Sequence, residues 1–390
     1  MKCNCCDSVK FKSLVKFKKF PYINTPVPNS IKIRGKFDDL VYLYCTKCYH
    51  TIINPKPKMT KLNNLYENFY SYISPLINKK ISPSRDNKFI NLVEPWVKRN
   101  KDNNKIFEIG CFDGYILSKL KKYFDYHEGY DPSDGALIGQ NYGLNIKKKF
   151  FDHNSIPRNM FDLIVCRHVI EHIYNPKNFI KNILSIMNDN ATLIIETPNF
   201  EHFIEKTKTE CFSFQHVSCF NYHSISSLFA KFGLVAIKKN IGENLIIFFK
   251  KKIYKKSTFI HKINSSAYSN YKKNYLKQKK NINKLIFDNL DKNQKYLVWG
   301  AGGYSVSLIY HYGLDTNKIL FFVDNNENNL NKKFISLSNE IKLPYEIINN
   351  QKKFDFILIA SMYYLDIIKQ LRKLNISIKV VTLPDKVICI

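Results

Sequence analysis

At 390 residues the chain is too long for one ordinary hydrophobic core and suits two or three domains. Its 45% hydrophobic and 14% aromatic content is ample for globular folding. The formal charge of +29 suggests a nucleic-acid binder, yet 55 of the 61 basic residues are Lys and they are scattered over the whole chain. Nucleic-acid readers more often cluster Arg and Lys on one element, so a nucleic-acid partner is not expected, whereas an anionic small molecule would be drawn in by such a field.

The chain starts Met1-Lys-Cys-Asn-Cys-Cys with no apolar run behind it, and no stretch of 18 apolar residues follows, so neither a signal peptide nor a membrane span is expected. Ten cysteines in a chain so expected to be cytoplasmic argue for thiols or metal ligands over disulfides. Five of them fall in residues 1–60, as two Cys-x-x-Cys pairs, Cys3/Cys6 and Cys45/Cys48, with Cys5 inside the first. Each pair puts two thiolates on one side of a tight knuckle, and two knuckles complete a tetrahedral sulfur site for a structural Zn2+. Cys5 can substitute for either Cys3 or Cys6 in that reading, and a set of unligated thiols is the alternative to it.

Residues 61–95, with tyrosines, prolines and serines, are expected to form a helix-containing connector. Residues 96–250 alternate apolar strand runs with helical patterns, the mark of an α/β sheet. Lys105-Ile-Phe-Glu108-Ile-Gly110-Cys-Phe-Asp113-Gly114 is a buried strand, a glycine loop and a helix start, in which Gly110 and Gly114 admit a ligand close to the backbone. The Glu-x-Gly-x-x-x-Gly pattern differs from the Gly-x-Gly-x-x-Gly that wraps a pyrophosphate. Its carboxylates, Glu108 and Asp113, suit a cationic, phosphate-free ligand such as S-adenosylmethionine (SAM).

The next strand ends at Glu128-Gly-Tyr-Asp131, where a carboxylate can accept both ribose hydroxyls of an adenosine. Phe150-Phe151-Asp152 is expected to end a third strand with an acid for the adenine amino group. Met160 to His172 gives a fourth strand and a loop holding His168, Glu171 and His172, ahead of a helix from about Asn175. Ala191–Pro198 supplies a fifth, and Gly233–Lys238 with Asn244–Lys250 an antiparallel pair that closes the sheet. Residues 251–284, rich in Lys, Asn, Tyr and Ser, are expected as a solvated, helical linker. Residues 285–390 open a second α/β unit with Tyr296-Leu-Val-Trp-Gly300-Ala-Gly302-Gly303, a truncated dinucleotide fingerprint with Ser305 where the third glycine would stand.

The ordered series of glycine loop, Asp131, Asp152 and Phe-Asp-Leu-Ile-Val with Glu-His resembles the class I SAM-dependent methyltransferases. The whole chain resembles the C-methyltransferases of deoxysugar biosynthesis, which place a zinc domain and a smaller α/β domain around the SAM domain. Tyr70-Ser-Tyr72-Ile-Ser74 matches that family's Tyr-x-Tyr-x-Ser segment, and Val298-Trp-Gly-Ala-Gly-Gly matches the opening of its last domain. The family's Tyr-His-Glu-His segment corresponds to Ser213-Phe214-Gln215-His216, with Gln215 in place of the Glu.

The resemblance implies SAM held by Glu108, Gly110, Gly114, Asp131, Asp152 and His168, and a nucleotide-linked 4-keto sugar bound between the domains. It implies His216 as the base that removes a proton beside the ketone, with Tyr72, His172 and Gln215 around the acceptor. Proton removal from a hydroxyl by His216 would instead give O-methylation. An RNA- or protein-modifying methyltransferase and a SAM-binding protein without transfer activity are the competing classes, the latter kept open by Gln215.

Overall fold

The computed structural model describes residues 1–23, 25–29, 37–60, 74–77, 84–100, 104–251, 263–287, 294–335, 337–361, 363–382 and 386–389. The chain forms two compact units: Met1–Leu14, Tyr42–Lys206 and Gln215–Tyr268 make the first, and Val15–Val41, Thr207–Phe214 and Ser269–Ile390 the second. The segment expected as one N-terminal domain, 1–60, is therefore divided, with residues 15–41 belonging to the second unit. No described helix is long and apolar enough to cross a membrane.

A strand pair forms the second cysteine knuckle in the first unit. Strand β1 (Phe37–Cys45) pairs through residues 42–44 with β2 (Thr51–Ile53), so the chain turns back directly at Cys45–Cys48. The main sheet follows helix α1 (Ser84–Arg99) and is built from β3 (Lys105–Ile109), helix α2 (Tyr115–Leu120), β4 (Tyr126–Asp131), helix α3 (Gly135–Asn141) and β5 (Ile146–Lys148). Then come β6 (Phe161–Arg167), helix α4 (Pro176–Ile186) and β7 (Met187–Pro198). The short strand β8 (Ser218–Cys219) pairs with β2, and helix α5 (Tyr222–Ala230) leads to the hairpin of β9 (Leu234–Ile241) and β10 (Asn244–Lys251).

The seven strands lie in the order β9-β10-β7-β6-β3-β4-β5. Strands β3 to β7 are mutually parallel and β10 is inserted antiparallel to both β7 and β9. Parallel strands are covered on both faces, which is why β3 and β6 are written as nearly unbroken apolar runs. Successive residues serve opposite layers: Phe107, Ile109, Ile164 and Cys166 join one core, Ile106, Leu163 and Val165 the other. Helix α4 starts where Asn175 accepts the Asn178 N–H at 3.2 Å and Pro176 takes the first turn. Its buried Phe179, Ile180, Ile183 and Ile186 recur at helical spacing and pack into the first core.

Two expectations are corrected here. The third strand ends at Lys148, not at Phe150–Asp152. Asp152 instead accepts the Asn154 N–H and caps the short turn His153–Ser155. The stretch 251–284 is helical over part of its described residues, as expected, but one side of that helix is buried. Helix α6 runs Ser265–Phe287 and buries Tyr268, Tyr271, Tyr275, Ile282 and Ile286.

The second unit is a six-stranded sheet of β11 (Tyr296–Trp299), β12 (Ile319–Val323), β13 (Ile341–Lys342), β14 (Phe356–Ile359), β15 (Lys379–Thr382) and β16 (Lys386–Cys389). Their order is β13-β12-β11-β14-β15-β16, parallel except for β16 at the edge. Asp324, after β12, accepts the Ala301 N–H at 2.7 Å and the Asn326 N–H at 2.8 Å, so its carboxylate holds the glycine turn 300–303 in place.

Candidate active site

In open α/β sheets ligands bind beyond the carboxyl ends of the strands, where the strand order reverses. That point in the first unit lies between β3 and β6. A cavity of about 560 Å³ sits there, lined among others by Glu108, Gly110, Asp131, Phe151, His168 and His172.

The loop after β3 makes the approach. Gly110 has φ +70°, and a Cβ there would meet the Val169 side chain at 2.4 Å. Gly114 has φ +75° and its Cβ would strike Ile146 at 2.4 Å. Both positions therefore require glycine, for backbone shape and for space. Phe112, between them, holds φ +50° and donates its N–H to Asp131 Oδ2 at 2.8 Å. The other oxygen of Asp131 takes the Ser133 N–H at 2.9 Å and its hydroxyl at 2.5 Å. The carboxylate is thus fixed in orientation while it lines the cavity. Asp113 also lines the cavity, and its carboxylate holds the loop as well. Its oxygens accept from Ser74 Oγ, Leu76 N and Tyr115 N, pinning the end of the connector to the start of α2.

Glu108 is 2% exposed and its Oε2 has no hydrogen-bond donor among the described residues. Burial, opposed by the Arg167 charge and reinforced by Asp86 and Asp113, pushes its carboxyl up to about 8. An orphaned buried oxygen in the cavity wall fits the amino group of SAM, which brings the missing donor. Beneath it lies a buried network that sequence reading did not single out. Arg167 donates through Nε to Glu196 Oε2 at 2.6 Å and through Nη2 to Asp86 Oδ1 at 2.9 Å. Asp86 and Arg167 also line the cavity. The available signal was position: Arg167 and Glu196 stand at the carboxyl ends of neighbouring strands.

His168 has φ +50°, a conformation that non-glycine residues seldom adopt outside constrained loops. Its Nδ1 lies 3.4 Å from Glu171 Oε1 and its Nε2 3.7 Å from Glu196 Oε1, so two buried carboxylates straddle the ring. His172 also lines the cavity, and its Nδ1 lies 2.9 Å from the Gln215 carbonyl oxygen. The His216 ring stands beside it, with centroids 5.0 Å apart. The His216 carbonyl accepts the Tyr42 hydroxyl at 3.0 Å, which ties this stretch to β1.

The structure thus brings Glu108, Gly110, Asp131, His168 and His172 to one cavity, with Gln215 and His216 behind His172. Gly114 shapes the loop. Asp152 does not line the cavity; Phe150 and Phe151 do. Tyr72 and Tyr70 lie outside the described residues.

The sulfurs of Cys3, Cys6, Cys45 and Cys48 all lie within 4.8 Å of one another. The pairs Cys3–Cys48 and Cys6–Cys45 are each 3.5 Å apart. A tetrahedral zinc site with bonds of about 2.3 Å has sulfur–sulfur edges of roughly 3.8 Å, so this donor set fits the ion. Cys5 does not join the tetrad and groups with Cys3 and His50.

Residues 84–239 match the family described as "Methyltransferase domain", and residues 292–382 the family "C2185-like, N-terminal". Ubiquinone biosynthesis O-methyltransferase of Coxiella burnetii is 26% identical over 101 residues, 24% of this chain and 43% of that protein. The chain therefore spans less than half the length of that curated relative. Among solved structures, a SAM-dependent methyltransferase from Aquifex aeolicus aligns at TM-score 0.33 and 14% identity, over 46% of this chain and 98% of the other. A SAM-dependent methyltransferase of Thermotoga maritima, titled a possible histamine N-methyltransferase, aligns at TM-score 0.32 and 19% identity, over 42% and 97%. The strand order above and the match over residues 84–239 agree on a Rossmann-like, class I methyltransferase fold for the main sheet of the first unit.

Proposed function

We propose that the chain transfers a methyl group from SAM to a nucleotide-linked sugar, by C-methylation of a 4-keto deoxysugar with His216 as base. The observation that carries the reading is the histidine pair His172/His216 set against the wall of the cavity that holds the SAM-type loop. The sugar class draws on the Tyr-x-Tyr-x-Ser and Val-Trp-Gly-Ala-Gly-Gly matches together with the cysteine knuckles.

Bound SAM supplies an electrophilic methyl on a sulfonium. The chain's own residues do the rest. Glu108 and the backbone at Gly110 hold the amino-acid end, and Asp131 is oriented for the ribose. Neutral His216 takes the proton from the carbon beside the ketone, and that carbon's electron pair forms the new bond as the sulfur recovers its own. His172, its Nδ1–H held by the Gln215 carbonyl, packs beside the His216 ring and positions that base. The Gln215 side chain is not needed for this, because the contact uses its backbone.

A second reading is O-methylation with His216 deprotonating a hydroxyl, favoured by the likeness to an O-methyltransferase of ubiquinone biosynthesis. SAM with a deuterated methyl group, offered with keto and non-keto nucleotide sugars and read by mass spectrometry, separates the two. Label in keto sugars alone supports C-methylation, and label in the others supports O-methylation. His216→Ala is expected to lower turnover by about 10²–10⁴-fold while SAM affinity stays within about twofold. Full activity in that variant would remove His216 from the mechanism.

A further inference from the structure

Three side chains from two separate stretches converge behind the cavity wall. Glu171 and His172 sit on the turn after β6, and His216 just ahead of β8. One donor atom from each lies within 4.8 Å of the other two. Glu171 is 2% exposed, with Oε2 accepting the Thr197 hydroxyl at 3.0 Å and Oε1 lying 3.4 Å from His168 Nδ1. The Gln215 carbonyl can only accept, so His172 Nδ1 carries the hydrogen and the neutral ring has its lone pair on Nε2.

One carboxylate and two neutral imidazoles are the donor set of a borderline divalent transition metal. Bonds of about 2.0–2.2 Å put such donors roughly 3–4 Å apart, within the span seen here. A backbone carbonyl on the far nitrogen of a ligand histidine is the outer partner such sites use to fix the ring. Magnesium and calcium, which take oxygen ligands, do not suit two imidazoles.

We propose that Glu171, His172 and His216 bind one divalent transition metal ion of the zinc and cobalt class, apart from the cysteine tetrad, and that its binding inhibits methyl transfer. The inhibition rests on the reading of His216 as base. Coordination takes up the lone pair that would accept the acceptor's proton, so a bound ion and turnover exclude each other.

The full chain, loaded with zinc at its cysteines, is titrated with Co²⁺ and followed by equilibrium dialysis and visible absorption. One further equivalent is expected, with weak d–d bands and no thiolate-to-cobalt charge transfer. Glu171→Gln and His216→Ala, two variants so that neither's folding decides the outcome, should each weaken that binding by at least about 100-fold. The same Co²⁺ concentrations should halt methyl transfer, and a chelator should restore it. No further equivalent, charge-transfer bands from cysteine, or unchanged binding in both variants would overturn the site. Cobalt held there with transfer undiminished would overturn the inhibition. A chain that binds cobalt as described yet never transfers a methyl group would sustain the site and sink the reading of His216 as base.

Discussion

Glu108 carries a physical tension that a ligand can relieve. Its carboxyl sits near 8 because burial disfavours the anion, yet the cation it is placed to meet requires that anion. Below about pH 8 the ligand-free protein keeps the proton, and SAM must displace it. Affinity owed to Glu108 should therefore rise with pH by up to tenfold per unit and level off above about 8. SAM's own amino group titrates in the same range, so the useful readout is the Kd of Glu108→Gln divided by that of the wild type. This ratio should climb by up to roughly 100-fold between pH 6 and 8, as measured by calorimetry. A flat ratio would show that Glu108 does not ionise on binding. The neighbouring Arg167, hydrogen-bonded to Glu196 and Asp86, opposes that rise through its charge alone, and among the described residues none donates to Glu108 Oε2.

At the scale of elements, β1, β2 and the two cysteine turns form a unit whose geometry a metal would lock. If zinc is held by Cys3, Cys6, Cys45 and Cys48, removing one ligand undoes a site that is part of the folding free energy. Cys45→Ser should lower the metal content from one zinc per chain to well below one and the thermal midpoint by on the order of 10 °C. An unchanged midpoint in a zinc-free variant would deny the ion a structural role. The elements themselves were unevenly legible in sequence. The parallel strands β3 and β6, buried on both faces, are plain because both are apolar runs bounded by glycine or polar turns. The β9–β10 hairpin was equally readable. Phe150-Phe151 looked like a strand end because aromatic pairs usually mark buried strands, but here they line a cavity. Helix α6 is legible in sequence as a helix but not as a buried one, since the buried residues of its first half are tyrosines, whose hydroxyls make polar contacts: Tyr271 to the Lys208 carbonyl, Tyr275 to that of His311. Lysines and asparagines between them masked the period. The site divides in the same way. Glycines and strand-end acids announce themselves, whereas the His172–Gln215 contact uses a carbonyl that every residue type possesses, so no side chain could have signalled it.

For the whole molecule the decisive quantity is the charge of +29, carried mostly by dispersed lysines. Such a charge acts over distance on ligands according to their own sign. A nucleotide-linked sugar carries a diphosphate and arrives as an anion, while SAM carries a net positive charge. The two substrates should therefore respond oppositely to salt. Raising NaCl from about 50 to about 500 mM shortens the screening length from roughly 14 to roughly 4 Å, so kcat/KM for the sugar should fall by about tenfold. The same change should leave KM for SAM unaltered or lower it. Steady-state rates with each substrate varied in turn measure both slopes. A sugar slope near zero would mean that the lysines lie too far from the acceptor's path to steer it, and the acceptor would then have to be sought among neutral molecules. A slope several times steeper, scaling with the number of phosphates displaced, would be the signature of a nucleic-acid acceptor, because each neutralised phosphate releases its own counterion.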